Sequence, residues 1–247
     1  DQDKASPGQY AMYFHCQTTL VDSFKEMYRG KFEFVGNRSI VFAADAKIHA
    51  TIFKYDASMG SHGTLVSGKT QPASHAFSYR QKTFLKKKKI KALNISFAGP
   101  AVSNVTFVPP DGVSPKAIPV TPDQLKNVLD PLSGVMALSL AGGADPCKQK
   151  LPVYDGKQRF DIVFTPLRRA GADHICNVRL VPISGHKPGE GAASVVNGKI
   201  ELVMRPVPKA NVVIPYSVSV PTVVGTATLT AEKIDITMPD QQRIALR

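Results

Sequence analysis

Six histidines and three cysteines are the residues of this chain best suited to metal binding or nucleophilic chemistry. The histidines, His15, His49, His62, His75, His174 and His186, include no helical i, i+4 pair and no Cys-x-x-Cys partner, so zinc-site spacing is absent and no metal site is expected. Ser184, in Pro-Ile-Ser-Gly-His186, lacks the Gly-x-Ser-x-Gly elbow that would lift a nucleophile onto a strained turn, and a structural turn is expected there. Three cysteines allow one bridge and one remainder. Cys147 and Cys176 sit in turn-rich segments on either side of a hairpin and are the expected pair, the alternative being two loop thiols. Cys16 falls in a strand-like stretch beside His15, which points to the opposite face. An inert buried thiol is expected, because a reactive one needs a basic, partly exposed setting.

Two charged groups could meet a ligand. Asp155, Arg159 and Asp161 share one hairpin, and Arg159 and Asp161 share a sheet face. They form either a structural ion pair or a polar anchor at a cavity mouth. Lys86, Lys87, Lys88 and Lys89 lie between Phe84-Leu85 and Ile90, so charges project to both faces of one strand. They either protect an edge from aggregation or dock on anionic lipid headgroups. Lys86, Lys87, Lys88, Lys89 and Arg159 are thus the candidate ligand or envelope contacts, and no catalytic residue is assigned.

The elements that would position these residues are mostly strands. Period-two alternation, as in His49-Ala-Thr-Ile-Phe-Lys-Tyr55, and Gly, Pro and Asn-rich breaks predict strands over 10–20, 31–35, 39–42, 48–55, 64–67, 76–84, 90–97 and 102–108. Ser23-Phe-Lys-Glu26 is a capping-box pattern that predicts a short helical turn closed by Gly30. Thr121-Pro122 opens a helix over Asp123 to Leu129, and Asp130-Pro131 opens a second over 132–140, apolar on most sides and so in need of burial. Strands resume over 152–164, 177–181, 193–196, 199–204, 212–220 and 223–236, with a hairpin turn at Asn197-Gly198. The expected fold is mainly β: a curved antiparallel sheet, an open or half barrel, with one or two short helices packed on the concave side.

The 247 residues suit one β-rich domain over 1–247, and 43% hydrophobic against 20% charged residues fits a folded globule. No stretch has the apolar length of a membrane span. The chain starts without Met, which suggests that a signal peptide has been removed. A net charge of +12 favours acidic partners, lipid headgroups or another anionic envelope component; nucleic acid is not expected, since no readout motif flanks the lysine run.

Val128-Leu-Asp-Pro-Leu-Ser133, Pro152-Val-Tyr-Asp-Gly-Lys-Gln-Arg-Phe-Asp161 and Cys176-Asn-Val-Arg-Leu-Val-Pro-Ile-Ser-Gly-His-Lys187 resemble an exported proteobacterial family catalogued as domain of unknown function 3108. The resemblance runs from about Ala76 to Val220. It implies a periplasmic β protein whose paired cysteines match Cys147 and Cys176, and it implies no activity, catalytic residue or cofactor. Together these features lead us to expect a non-catalytic periplasmic envelope protein that binds a lipid or other amphipathic ligand in a β-sheet trough. The alternative expectation is an envelope interaction module that contacts another protein and takes no small ligand.

Overall fold

The computed structural model describes residues 9–18, 25–35, 39–50, 53–83, 86–110, 114–140, 145–189, 199–207, 211–222, 225–237 and 243–246. Seven strands precede the helical region: β1 (Gln9–Thr18), β2 (Lys25–Val35), β3 (Ser39–Ala50), β4 (Phe53–Val66), β5 (Lys69–Thr83), β6 (Lys86–Ala98) and β7 (Ala101–Val108). Seven follow it: β8 (Lys150–Tyr154), β9 (Arg159–Ala170), β10 (Asp173–Ser184), β11 (Ile200–Val207), β12 (Val212–Thr222), β13 (Gly225–Thr237) and β14 (Arg243–Leu246). They form one 14-stranded sheet in the order β7-β6-β5-β4-β3-β2-β1-β13-β12-β11-β10-β9-β8, with β14 added beside β13. Neighbouring strands in this order run antiparallel, for example β1 with both β2 and β13. Most neighbours are also consecutive in sequence, so short reversals build most of the sheet.

The sheet curls around the helix α1 (Pro131–Ser139). This helix touches β3, β4 and β5 from one half of the strand order and β8 and β12 from the other. A flat sheet could not bring those strands to one nine-residue helix. Leu132, Gly134, Met136 and Leu138 are all buried, as a helix with little polar surface requires.

Among the described residues the sheet does not close strand to strand. Its two edges, β7 and β8, are held by the short segment between the helical turns. Lys126 bridges Ala101 in β7 and Leu129 bridges Val153 in β8. Backbone hydrogen bonds fix this seam: Asn127 N donates to Pro100 O at 2.7 Å, Leu129 N to Pro152 O at 2.8 Å and Tyr154 N to Leu129 O at 2.9 Å. Apolar side chains back it from both sides, with Leu93, Ile95, Val128 and Tyr154 in one buried cluster. A larger cluster lies under β8–β12 and includes Leu138, Val153, Phe164, Leu202 and Met204.

Three local expectations change. Residues Lys25 to Gly30 belong to β2 rather than to a helical turn, because this segment pairs with β1 and β3 along both edges and ladder bonds outweigh a local capping pattern; Ser23 lies outside the described residues. The stretches expected as single strands over 48–55 and 152–164 both reverse, with Ala50 paired to Phe53 and Tyr154 paired to Arg159. The first helix stops as a single 3-10 turn at Pro122–Leu125, since the next residues are recruited as the seam and Asn127 takes a positive φ of 54°. The expected strand over 193–196 and the Asn197-Gly198 turn lie outside the described residues, as does the side chain of Cys16.

Candidate functional site

Four adjacent strands place one apolar residue each in a row across the concave face. Met59 of β4 is opposite Phe77 of β5, Phe77 is opposite Leu93 of β6, and Leu93 is opposite Phe107 of β7. Alternation in β5 explains which side chains face in: His75, Phe77 and Tyr79 are covered, while Ala76, Ser78 and Arg80 are exposed. The row floors a cavity of about 380 Å³ whose other walls include Pro131 of α1 and the turn between β8 and β9. Its polar lining comes from His75, Lys91, Asp155, Lys157 and Gln158.

The β8–β9 turn covers the row as a preformed lid. Asp155 Oδ1 accepts from Lys157 N at 2.9 Å and from Gln158 N at 2.7 Å, and Tyr154 OH donates to Gly156 O at 2.8 Å. Burial, with Asp155 nearby, pushes the Tyr154 hydroxyl up to about 12. Lys157 Nζ lies 5.1 Å from the centre of the Phe107 ring, a cation–π contact made across the cavity wall. Gly156 sits at φ +93°, and a Cβ there would lie 2.6 Å from Leu93 Cδ1. Gly156→Ala is therefore expected to cost about 1–2 kcal/mol from the left-handed backbone alone and to displace the lid from Leu93. Thermal unfolding checks this, and an unchanged midpoint would contradict it.

Behind the cavity lies a fully buried polar cluster. Asp130 caps α1, its Oδ1 accepting from Leu132 N at 3.0 Å and Ser133 N at 3.1 Å. Ser133 Oγ donates to Asp130 Oδ2 at 2.5 Å, and Ser61 Oγ of β4 donates to Oδ1 at 2.6 Å. His75 Nδ1 lies 2.8 Å from Ser61 Oγ and 3.2 Å from Asp130 Oδ1. Burial pushes the Asp130 carboxyl up, but His75, Ser133 and Ser61 together outweigh it and hold the group below its ordinary value.

A serine, a histidine and an aspartate in contact invite comparison with a hydrolase triad, and the connectivity differs. A triad histidine offers one ring nitrogen to the carboxylate and the other to the nucleophile. Here Ser61 and Asp130 share Nδ1, and the Ser61 proton is directed to the carboxylate. Ser61 is also wholly inaccessible at 0% exposure. The cluster is built to fasten α1 to β4 and β5.

Cys147 and Cys176 form a disulfide, with Cα atoms 5.1 Å apart. Cys147 also lies near Asp145 and His174, each offering a ligand atom within 4.8 Å of the others. Its sulfur is committed to the bridge, which leaves that trio without a thiolate. Ser184 is buried and donates to Gln124 Oε1 at 2.7 Å, fastening the end of β10 to the 3-10 turn. Arg159 contacts Asp161 at 2.6 Å, and Lys150 approaches the same carboxylate at 2.8 Å. Burial pushes Asp161 up, and Lys150 and Arg159 more than reverse the effect. Arg159 is thus held in an ion-pair group on β8 and β9, away from the cavity lining.

All four residues of the lysine run, Lys86 to Lys89, lie in β6; Lys88 and Lys89 are exposed and do not line the cavity, while the side chains of Lys86 and Lys87 lie outside the described residues. Lys91, two residues beyond Lys89 on the same strand face, does line it. Sequence reading identified Asp130-Pro131 as a cap but not its partners Ser61 and His75, which are 69 and 55 residues away and become neighbours only through the sheet.

No family model matches the chain, and no curated protein matches it. Among solved structures, the chain is similar to a β-barrel-like protein of domain of unknown function DUF1849 from Brucella abortus, at 12% identity over 94% of this chain and 98% of that chain, with a TM-score of 0.46. Among the described residues, no helix is long and apolar enough to cross a membrane.

Proposed function

We propose that this is a non-catalytic protein of the periplasmic cell envelope that binds a lipid or other amphipathic ligand in the trough between β4–β7, the start of α1 and the Asp155–Gln158 turn. The observation that carries this reading is the cavity of about 380 Å³ over the Met59, Phe77, Leu93 and Phe107 row. An apolar enclosure with few polar groups is the usual form of a small-molecule site. The disulfide supports an oxidising compartment, and the +12 charge supports an anionic setting.

The chain contains no tryptophan, so Phe107→Trp creates a single tryptophan in the cavity wall, excited selectively over the tyrosines at the red edge of absorption. Titration with a long-chain amphipath below its micelle concentration is expected to blue-shift its emission and saturate at one equivalent. No shift, together with no enhancement of a neutral solvatochromic dye by the wild-type protein, would overturn the reading.

A second reading, an envelope interaction module, is favoured by Ile90 and Val108, which are 53% and 60% exposed at the β7 end of the sheet. It takes precedence if the cavity accepts nothing.

A further inference from the structure

We propose that the trough recognises an uncharged, hydroxyl-bearing amphipath whose O–H donates to Nε2 of His75 at the closed end of the cavity. This inference rests on the ligand-binding reading above and narrows it to one class of ligand. His75, Phe77 and Tyr79 follow one another along the inward face of β5, opposite Ile95, Leu93 and Lys91 of β6. Leu93 and Lys91 line the cavity, whereas Ile95 is fully buried and lies outside the lining, so the cavity ends at the His75 row. A ligand lying along Met59, Phe77, Leu93 and Phe107 therefore meets the His75 ring at its inner end.

The hydrogen bonds behind the ring fix its proton. Ser61 Oγ has one hydrogen, and it is directed to Asp130 Oδ1 at 2.6 Å. The 2.8 Å contact between Ser61 Oγ and His75 Nδ1 must then take its proton from the ring. The 3.2 Å approach of Nδ1 to the Asp130 carboxylate requires the same, because a lone pair on Nδ1 would face two acceptors. With the proton on Nδ1, the neutral imidazole presents Nε2 as an acceptor, on the side of the ring turned away from Ser61 and Asp130. A carboxylate behind the Nδ1–H makes that nitrogen more basic.

The other charged groups of the lining are already engaged. Lys91 and Lys157 have interactions of their own within the molecule, and Asp155 Oδ1 accepts from the amides of its own turn. Gln158 is half-buried, whereas His75 is only 3% exposed and makes both of the contacts above through Nδ1. A ligand that fills the trough displaces water from Nε2. An alcohol restores the lost hydrogen bond; an ether, a hydrocarbon or an ionised acid has no proton to give and leaves a buried acceptor unpaired.

The test is calorimetric titration of the full chain, in its disulfide form, with decanol and decyl methyl ether, both below their solubility limits. Decanol is expected to bind at one equivalent and about tenfold or more tighter than the ether. His75→Asn places an amide N–H where Nδ1–H lies, so it keeps donors for Ser61 and Asp130 and removes the Nε2 acceptor. In that variant the preference is expected to disappear while ether affinity is retained. Nitrogen NMR of the imidazole rings needs no variant: His75 is expected as the Nδ1–H tautomer, with an Nε2 resonance that moves on addition of decanol and not of the ether. Equal affinity for alcohol and ether, an undiminished preference in His75→Asn, or a proton on Nε2 in the free protein would overturn hydroxyl recognition and leave the cavity reading intact. Binding of neither would overturn both.

Discussion

Asp130→Ala is expected to destabilise the protein by about 3–5 kcal/mol, far more than loss of an ordinary helix cap, which costs about 0.5–2 kcal/mol. The difference arises from what the carboxylate leaves behind. Leu132 N, Ser133 N, Ser133 Oγ and Ser61 Oγ all direct hydrogen bonds to it, and His75 Nδ1 is within 3.2 Å. Asp130, Ser133, Ser61 and His75 are all buried, so water cannot replace the lost acceptor, and each orphaned donor costs about 1–3 kcal/mol before relaxation. Denaturant unfolding measures the loss, and a change under about 1 kcal/mol would show that the cluster does not fasten α1 to the sheet.

The same carboxylate makes stability depend on pH. Its folded-state value is depressed, so its contribution is present above the ordinary aspartate value of about 4 and is lost as pH falls through the lower folded value. Asp161 is depressed as well, so wild-type acid sensitivity alone does not isolate Asp130. The difference between wild type and Asp130→Asn does. That difference is expected to be largest near neutrality and to shrink as the pH drops below about 4, whereas parallel profiles would contradict the assignment.

Removing the disulfide is the second large effect. Cys147 and Cys176 close a loop with a sequence separation of 29, for which chain entropy gives about 3–4 kcal/mol. Both cysteines also belong to the buried cluster under β8–β12, so the bridge joins the turn that precedes β8 to the first half of β10 inside packed core. Cys147→Ala/Cys176→Ala is expected to lower unfolding free energy by about that amount, and reduction of the wild-type protein should reproduce most of it. A loss under about 1 kcal/mol in both experiments would mean that the unfolded chain is little constrained by the bridge.

How much of this was legible in the sequence depends on how local each signal is. Alternation and the flanking breaks marked β5 and β6 as strands, because a two-residue period needs no partner to be read. Asp130-Pro131 marked the start of α1 for the same reason, since cap and proline act on adjacent backbone. Lys25 to Gly30 depart from the expected helical turn because the Ser23-Phe-Lys-Glu26 capping pattern is local and is outweighed by pairing with the flanking strands, whereas Lys31 to Val35 form the expected strand. The seam at 126–129 carries the local pattern of a continuing helix and none of a seam; it forms because the β7 and β8 edges meet it there, with the Pro100 and Pro152 carbonyls accepting from Asn127 N and Leu129 N.

The candidate site divides in the same way. The lysine run, Lys86 to Lys89, stands out as sequence, yet Lys91 lines the cavity because alternation and depth, not charge density, decide what faces inward. Arg159 and Asp161 share a face as expected and are joined by Lys150 from the neighbouring strand. The row of Met59, Phe77, Leu93 and Phe107 required the register of three strand pairs, which no single segment encodes.

The most direct measurement of the central claim is native mass spectrometry of the protein purified gently from the cells that make it, followed by organic extraction of whatever is released. The expected result is a stoichiometric amphipathic ligand whose occupancy falls when Phe77 and Phe107 are replaced by alanine. A clean unliganded mass that takes up no lipid on incubation would contradict the account and turn attention to the exposed Ile90 and Val108 surface as a protein contact.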